Sequence, residues 1–422
     1  MVNYWNLDNK ATLLVEEMPY LKSVAIGIYI KLGSRHEPAH MSGASHFIEH
    51  MLFKGTPSRS ARDIAESFEG IGGQLNAFTA KEYTCVYART LDENSFEALD
   101  ILFDMIFNST FAKKDFDVEK GVVIEEINMY EDSPDDLIHD VFAEKLWENN
   151  SMGLPILGTL DSVTSFAQKD IYDFYKSCYI PSNLVISIAG NVNSEEIKDK
   201  IEELLINQPR TTLDLDIAKS TTSPPFINLV EKETEQVQIC IGGPGISYFD
   251  PNRYSQNIMS SILGGGLSSR LFQKIREELG LAYSVYSYPS TYSDTGSYSI
   301  YIATSKKHIG SFFKTLQEEL TLFTDKGVTE LEVERTKRLM KSSIYLGMES
   351  VTNHMSRLGK TMLMYDKVIP VEDVISKIYA VSSQDVTNLA NKILNQSSLS
   401  LAAIGSKDIL PIVEEEFQRY FR

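Results

Sequence analysis

The pentapeptide His46-Phe47-Ile48-Glu49-His50 constrains this chain more than any other segment, because its spacing makes chemical sense only on a helix. Positions i and i+4 of a helix share one face, so the imidazoles of His46 and His50 can converge on one point. Glu49, three residues after His46, projects to the same side and can reach a water held there. The order reverses the commoner His-Glu-x-x-His zinc motif. Two histidines and a carboxylate on one helical turn point to a hydrolase that works through a metal-bound water.

A catalytic zinc usually takes three protein ligands, so this pair of histidines needs a third. The best source is a helix expected over 118–130, where Glu119 and Glu126 stand two turns apart on one face. Glu125 and Glu131 fall on other faces. Glu126 sits among Val122, Val123, Ile124 and Ile127, and a carboxylate in such apolar company is tolerated only when paired or metal-bound. The remaining histidines lack a partner at ligand spacing, apart from His36 and His40, which straddle Pro38 and read as loop. The three cysteines, Cys85, Cys178 and Cys240, are far apart and unpaired in spacing, which excludes a disulfide framework or a cysteine zinc site.

At 422 residues the chain exceeds one ordinary core. Two short matches recur at the same offset of 215 residues: 116–120 with 331–335, and 183–190 with 398–405. A shared offset implies duplication. The joint is expected at 209–225, a polar stretch with Pro209, Pro224 and Pro225, dividing a domain over 1–208 from one over 226–422. Strands are expected at 24–30, at its counterpart 237–241, and at 75–79 and 83–88 around a turn at Ala80-Lys81. Helices are expected at 96–108, 117–131 and 194–205. Strands and helices in blocks predict an α+β fold: two similar domains, each an antiparallel-rich β-sheet covered on one side by α-helices.

His46, Glu49 and His50, with Glu119 and Glu126 about 70 residues on, resemble the inverzincin pattern of the pitrilysin/insulinase metallopeptidases, in their mitochondrial-processing-peptidase-like branch. The resemblance covers nearly the whole chain. It implies one Zn2+ per chain held by His46, His50 and Glu126, with Glu49 as general base and Glu119 as a carboxylate that orients a histidine ligand. The stretch 73–82 resembles the family's edge strand, which implies that Asn76, Ala77, Phe78 and Glu82 bind substrate by strand addition. In 271–283, Arg276 and Tyr283 match the family's substrate pair at its seven-residue spacing. That implies a cation and a phenol that hold the scissile carbonyl and its oxyanion. Gly264-Gly265-Gly266 resembles the glycine-rich loop of the family's non-catalytic subunits and lacks the spacing of a nucleotide-binding loop. At the 215 offset, His46, Glu49 and His50 become Ser261, Gly264 and Gly265, so the second domain should have the fold without the metal.

The hydrophobic fraction of 43% and charged fraction of 23% are those of a water-soluble globular protein. A net charge of -18 argues against non-specific nucleic-acid binding; solubility alone accounts for it, and the alternative is a weak, salt-dependent steering of basic peptide substrates. No apolar run approaches the roughly 20 residues of a membrane span, and 1–17 reads neither as a secretory signal nor as a transit peptide. Cytoplasmic residence in a prokaryote is the expectation. Taken with the resemblance, these features lead us to expect a zinc endopeptidase that cleaves unfolded peptides or extended protein termini. Family members enclose substrate with four similar domains and this chain carries two. A homodimer is therefore expected, with one subunit's Arg276 and Tyr283 serving the other's zinc. The alternative is a catalytically inactive or heterodimer-dependent subunit with a scaffold role, against which the intact His46, Glu49, His50 and Glu126 speak.

Overall fold

The run 24–30 is apolar without a break because both faces of its strand are covered. Val24, Ile26, Ile28 and Ile30 point into one core, while Ala25 and Tyr29 point into another on the opposite face. In the computed structural model, which describes residues 2–213 and 217–422, this strand lies inside a six-stranded sheet. Its members are β1 (Val2–Asn6), β2 (Thr12–Glu17), β3 (Ser23–Ile30), β4 (Gln74–Thr79), β5 (Thr84–Leu91) and β6 (Leu184–Gly190). They run in the order β1-β2-β6-β3-β5-β4, all antiparallel except β2 with β6.

A second sheet contains β7 (Ile227–Glu231), β8 (Val237–Pro244), β9 (Ala282–Thr291), β10 (Gly296–Thr304) and β11 (Ser400–Gly405), ordered β7-β11-β8-β10-β9. Its one parallel pair is β7 with β11. With β1 set aside, the two sheets have the same order and the same position for the parallel pair. The segments matched at the 215 offset fall on equivalent elements: β6 with β11, and helix Lys113–Glu131 with helix Glu330–Gly347. The fold is α+β, with two similar domains.

Their chain boundaries differ from contiguous halves at 1–208 and 226–422. One compact unit takes Met1–Asn128, Leu154–Ile217 and Tyr345–Ile369; the other takes Met129–Gly153, Ala218–Ile344 and Pro370–Arg422. The chain passes between units inside the expected joint, of which 214–216 lie outside the described residues. Each unit also takes in one helix from the other half of the sequence, and this corrects a second expectation, that helices cover each sheet on one side only. In the first unit, Ala44–Leu52, Ser95–Asn108 and Ser194–Leu205 pack on one face. Val351, Met355, Leu358 and Met362 of helix Val351–Tyr365 cover the other, over Tyr29, Cys85 and Val185. In the second unit, helix Pro134–Leu146 does the same over Cys240, Tyr301, Ala402 and Ile404. A second apolar face demands this cover, since burying each large aliphatic side chain is worth about 1.5–3 kcal/mol. No helix among the described residues is long and apolar enough to cross a membrane.

Candidate metal centre

Helix Ala44–Leu52 carries His46, Glu49 and His50, and its start is held from a distance. Gly43 at the N-cap has φ 93° and offers no side chain to the free N–H groups. Glu37 supplies it instead: one carboxylate oxygen accepts from Gly43 N–H at 2.7 Å and the other from Ser45 N–H at 2.6 Å. Burial pushes the Glu37 carboxyl up to about 7 despite these bonds and nearby Lys81. The sequence carries no local signal for this cap.

The helical spacing has the expected consequence. His46 Nε2 and His50 Nε2 lie 3.2 Å apart. Glu126, arriving on helix Lys113–Glu131, places its carboxylate oxygens 3.4 Å from His50 Nε2 and 3.8 Å from His46 Nε2. A tetrahedral ion with bonds of about 2.0–2.1 Å holds its ligand atoms roughly 3.3 Å apart, so this set of three fits zinc. Burial lowers the His46 pKa to about 3, with neighbouring His50 adding to the effect, and keeps its imidazole neutral as a ligand must be. Its Nδ1 is buried without a hydrogen-bond partner.

His50 is oriented by Glu119, whose Oε1 lies 2.8 Å from His50 Nδ1, leaving Nε2 aimed at the cluster. Burial would depress the His50 pKa, but the Glu119 bond and the surrounding carboxylates outweigh it and raise the value. Glu119 is itself buried, yet it stays below the usual carboxylate range because His50 and Lys54 hold its charge. Lys54 Nζ lies 2.6 Å from Glu119 Oε2. Lys54 was not among the residues the motif singled out, although it follows His50 by four residues, just beyond the end of the helix. Glu126, in contrast, is 43% exposed at its side chain, and Val118 and Val122 beside it are exposed. The apolar setting expected for Glu126 holds only in part: Val123 and Ile127 are buried and Ile124 packs against the core, while the Glu126 side chain itself stays half-open beside exposed Val122.

Glu49 stands beside this cluster. Burial raises its pKa, while a 2.6 Å hydrogen bond donated by the Thr79 hydroxyl pulls the other way. Thr79 ends β4, the sheet's edge strand. The Ala80 N–H bonds the Tyr83 carbonyl around a two-residue loop at Lys81-Glu82, one residue later than the turn expected. That makes the pair Ala80–Tyr83 hydrogen-bonded, so by antiparallel alternation Asn76 and Phe78 bond to β5. The peptide groups of Leu75, Ala77 and Thr79 face the free edge. Of the four expected edge residues, only Ala77 thus offers its main chain outward, and the exposed Asn76 side chain accepts that N–H at 2.8 Å. Phe78 instead packs its ring against Tyr83 and Tyr87, with Lys360 Nζ 5.9 Å from its centroid. Glu82 lies in the loop, its carboxylate 9% exposed and 2.6 Å from buried Arg35. An open edge position is therefore wrong for Glu82, because the charge of Arg35 needs a partner where it is buried.

In the second unit, Arg276 lies in a π-helical turn, Phe272–Glu278. Its guanidinium carbon stands 4.6 Å from the Tyr283 ring centroid and 4.7 Å from that of Phe272. Tyr283 is 77% exposed. The seven-residue spacing thus yields a stacked pair that presents an aromatic-braced cation to solvent. Glu277 approaches Arg276 only to 3.6 Å.

Comparison with known proteins gives the family. Residues 12–160 match the family described as insulinase, peptidase family M16, and residues 165–340 match the peptidase M16 inactive domain. A Bacillus subtilis protein called an uncharacterized zinc protease is 41% identical, covering 97% of this chain and all of the relative. A Rickettsia felis protein of the same description is 40% identical over 96% of this chain and 98% of its own. Among solved structures, a peptidase M16 inactive domain from Pseudomonas fluorescens superposes with a TM-score of 0.89 at 20% identity, covering 96% of this chain and 98% of that one. A protease from Helicobacter pylori gives 0.88 at 19% identity, covering 96% and 99%. The chain belongs to the insulinase-type M16 peptidase family.

Proposed function

We propose that this chain is a zinc endopeptidase of the processing-peptidase-like branch, acting on unfolded peptides or extended protein termini, with one zinc per chain. The observation that carries the reading is the convergence of His46 Nε2, His50 Nε2 and the Glu126 carboxylate at ligand spacing, with Glu49 beside them. When bound, zinc supplies a Lewis acid that polarises the peptide carbonyl and acidifies water. Glu49 takes the proton of the attacking water and passes it to the leaving amine. Glu119 holds His50 in the tautomer that keeps Nε2 free.

The edge strand β4 would receive substrate as an added strand through the outward peptide groups of Leu75, Ala77 and Thr79. Strand addition reads main chain rather than side chains, which suits extended segments and excludes folded protein. Arg276 and Tyr283 would hold the carbonyl being cut, working on a substrate bound by a second copy in a homodimer. The acidic composition favours basic peptides.

The test is a digest of an unstructured peptide library by zinc-loaded wild type and by Glu49→Gln, on protein whose solution mass is measured by sedimentation. The variant should keep its zinc and lose at least about a hundredfold in rate. A Glu49→Gln protein as fast as wild type, or a zinc-loaded wild type that cuts no extended peptide, would defeat the peptidase reading. An active monomer would remove the homodimer alone.

A further inference from the structure

Glu49 is aimed by a residue of the strand that faces substrate. The Thr79 hydroxyl donates to Glu49 Oε2 at 2.6 Å, across from helix Ala44–Leu52 to the end of β4. Thr79 shares a face of the strand with Leu75 and Ala77, both packed against the core beneath the helix. Its Cα stands opposite Thr84, but as the outward member of the alternation its peptide N–H and C=O point away from β5. One residue therefore combines a hydroxyl bound to Glu49 with peptide groups on the open edge.

We propose that Thr79 is a positioning residue that ties the orientation of Glu49 to the edge strand on which an extended peptide is held. The inference rests on the peptidase reading above and adds a residue that the reading does not require. A glutamate side chain has three torsions that together swing its oxygens through several ångströms, and a base must stand within hydrogen-bond reach of the proton it takes. Thr79 occupies Oε2 and so leaves Oε1 as the oxygen open to water. Pairing of a peptide with β4 immobilises the Thr79 main chain, and with it the hydroxyl that holds Glu49. The base is then in register with the same strand that sets the position of the scissile bond. A threonine suits both tasks, since its β-branch favours an extended backbone and restricts the rotamer that delivers the hydroxyl.

Thr79→Val tests this, because valine keeps the branch and nearly the volume while removing the donor. Thr79→Ser restores a donor on a less restricted side chain. With zinc-loaded protein, Thr79→Val should lower kcat roughly tenfold to a hundredfold with KM changed less than about twofold, and Thr79→Ser should recover most of the loss. Zinc affinity by chelator competition and the melting temperature should match wild type for both variants. A Thr79→Val enzyme with unchanged kcat, or one whose loss lies entirely in KM, would overturn the inference while leaving the peptidase reading standing. Crystal structures of zinc-loaded wild type and Thr79→Val provide a readout that needs no turnover. Glu49 should leave its wild-type rotamer in the variant, and an unmoved Glu49 overturns the proposal whatever the activity.

Discussion

The two sheets carry equivalent helices against their edge strands, and the two helices stand at different heights above them. In the first unit, helix Ala44–Leu52 keeps enough distance from β4 for Glu49 and Thr79 to meet side chain to side chain. In the second, helix Arg253–Gly264 closes directly onto β9. A Cβ added at Gly264 would fall 2.4 Å from the Ser287 backbone nitrogen and 2.8 Å from the Ser287 Oγ. Ser260 Oγ donates to the Ser287 carbonyl at 3.0 Å across this contact. At Gly264, which answers Glu49 at the 215 offset, backbone thus fills the place where the first unit's helix has a side chain. The later helix follows suit: at the 215 offset Glu119 becomes Glu334, which pairs with Lys337 at 2.9 Å, and Glu126 becomes Lys341. The duplicated fold shows that a sheet, its helical layers and their connections do not by themselves make a metal site. Helix height and two side chains on the partner helix decide it.

The largest expected effect attacks the metal-binding side of this comparison. Glu126→Gln should weaken zinc binding by at least about a hundredfold in chelator competition, since an amide replaces the anionic third ligand. The half-exposed side chain leaves folding nearly untouched, so unfolding of the metal-free variant should match that of metal-free wild type. Unchanged zinc affinity would remove Glu126 from the ligand set.

Gly264→Ala probes the metal-free side. One methyl group between the helix and Ser287 should cost about 1–3 kcal/mol in denaturant unfolding, because backbone atoms cannot yield as a flexible side chain can. A neutral substitution would mean that the close approach is not what distinguishes the two units.

The smallest effect concerns an ion pair that belongs to the second unit alone. Arg270 grips Glu332 through two bonds of 2.8 and 2.9 Å, and Thr329 N–H adds a third at 2.8 Å. Although partial burial pushes the Glu332 carboxyl upward, these bonds outweigh it and hold the pKa at about 2, below its ordinary 4.5. A depressed carboxylate stabilises the fold fully above the ordinary value and loses that contribution as pH falls toward the folded one. Glu332→Gln should therefore cost about 1 kcal/mol at neutral pH, discounted for partial exposure, with the difference from wild type vanishing below about pH 2. A difference independent of pH would assign the effect to packing.

Much of the plan was legible from periodicity. The helices expected at 96–108 and 194–205 appear as Ser95–Asn108 and Ser194–Leu205, and strand 24–30 as Ser23–Ile30. The turn after β4 was displaced by one residue, since Ala80 and Lys81 carry no stronger turn chemistry than Lys81 and Glu82. Phe78 and Glu82 lie otherwise than an edge strand over 73–82 would place them. Alternation turns the Phe78 peptide inward, and an arginine 47 residues earlier claims Glu82.

The chain's own order of residues determined that His46, Glu49 and His50 would share a helical face, that two similar halves would follow one plan, and that the second would lack the metal residues. Those features are local or repetitive, and a regular backbone converts them directly into geometry. Only the tertiary structure decided that Glu37 would cap the motif helix, that Lys54 would brace Glu119, that Thr79 would hold Glu49, and that each sheet would take a helix from the other half of the chain. Apart from Glu37, six and eight residues from the N–H groups it caps, such partners are separated by tens to hundreds of residues, and nothing in a linear period reports them. They meet because a buried charge, an unpaired N–H or an uncovered apolar face must be satisfied by whatever the packed fold brings within reach.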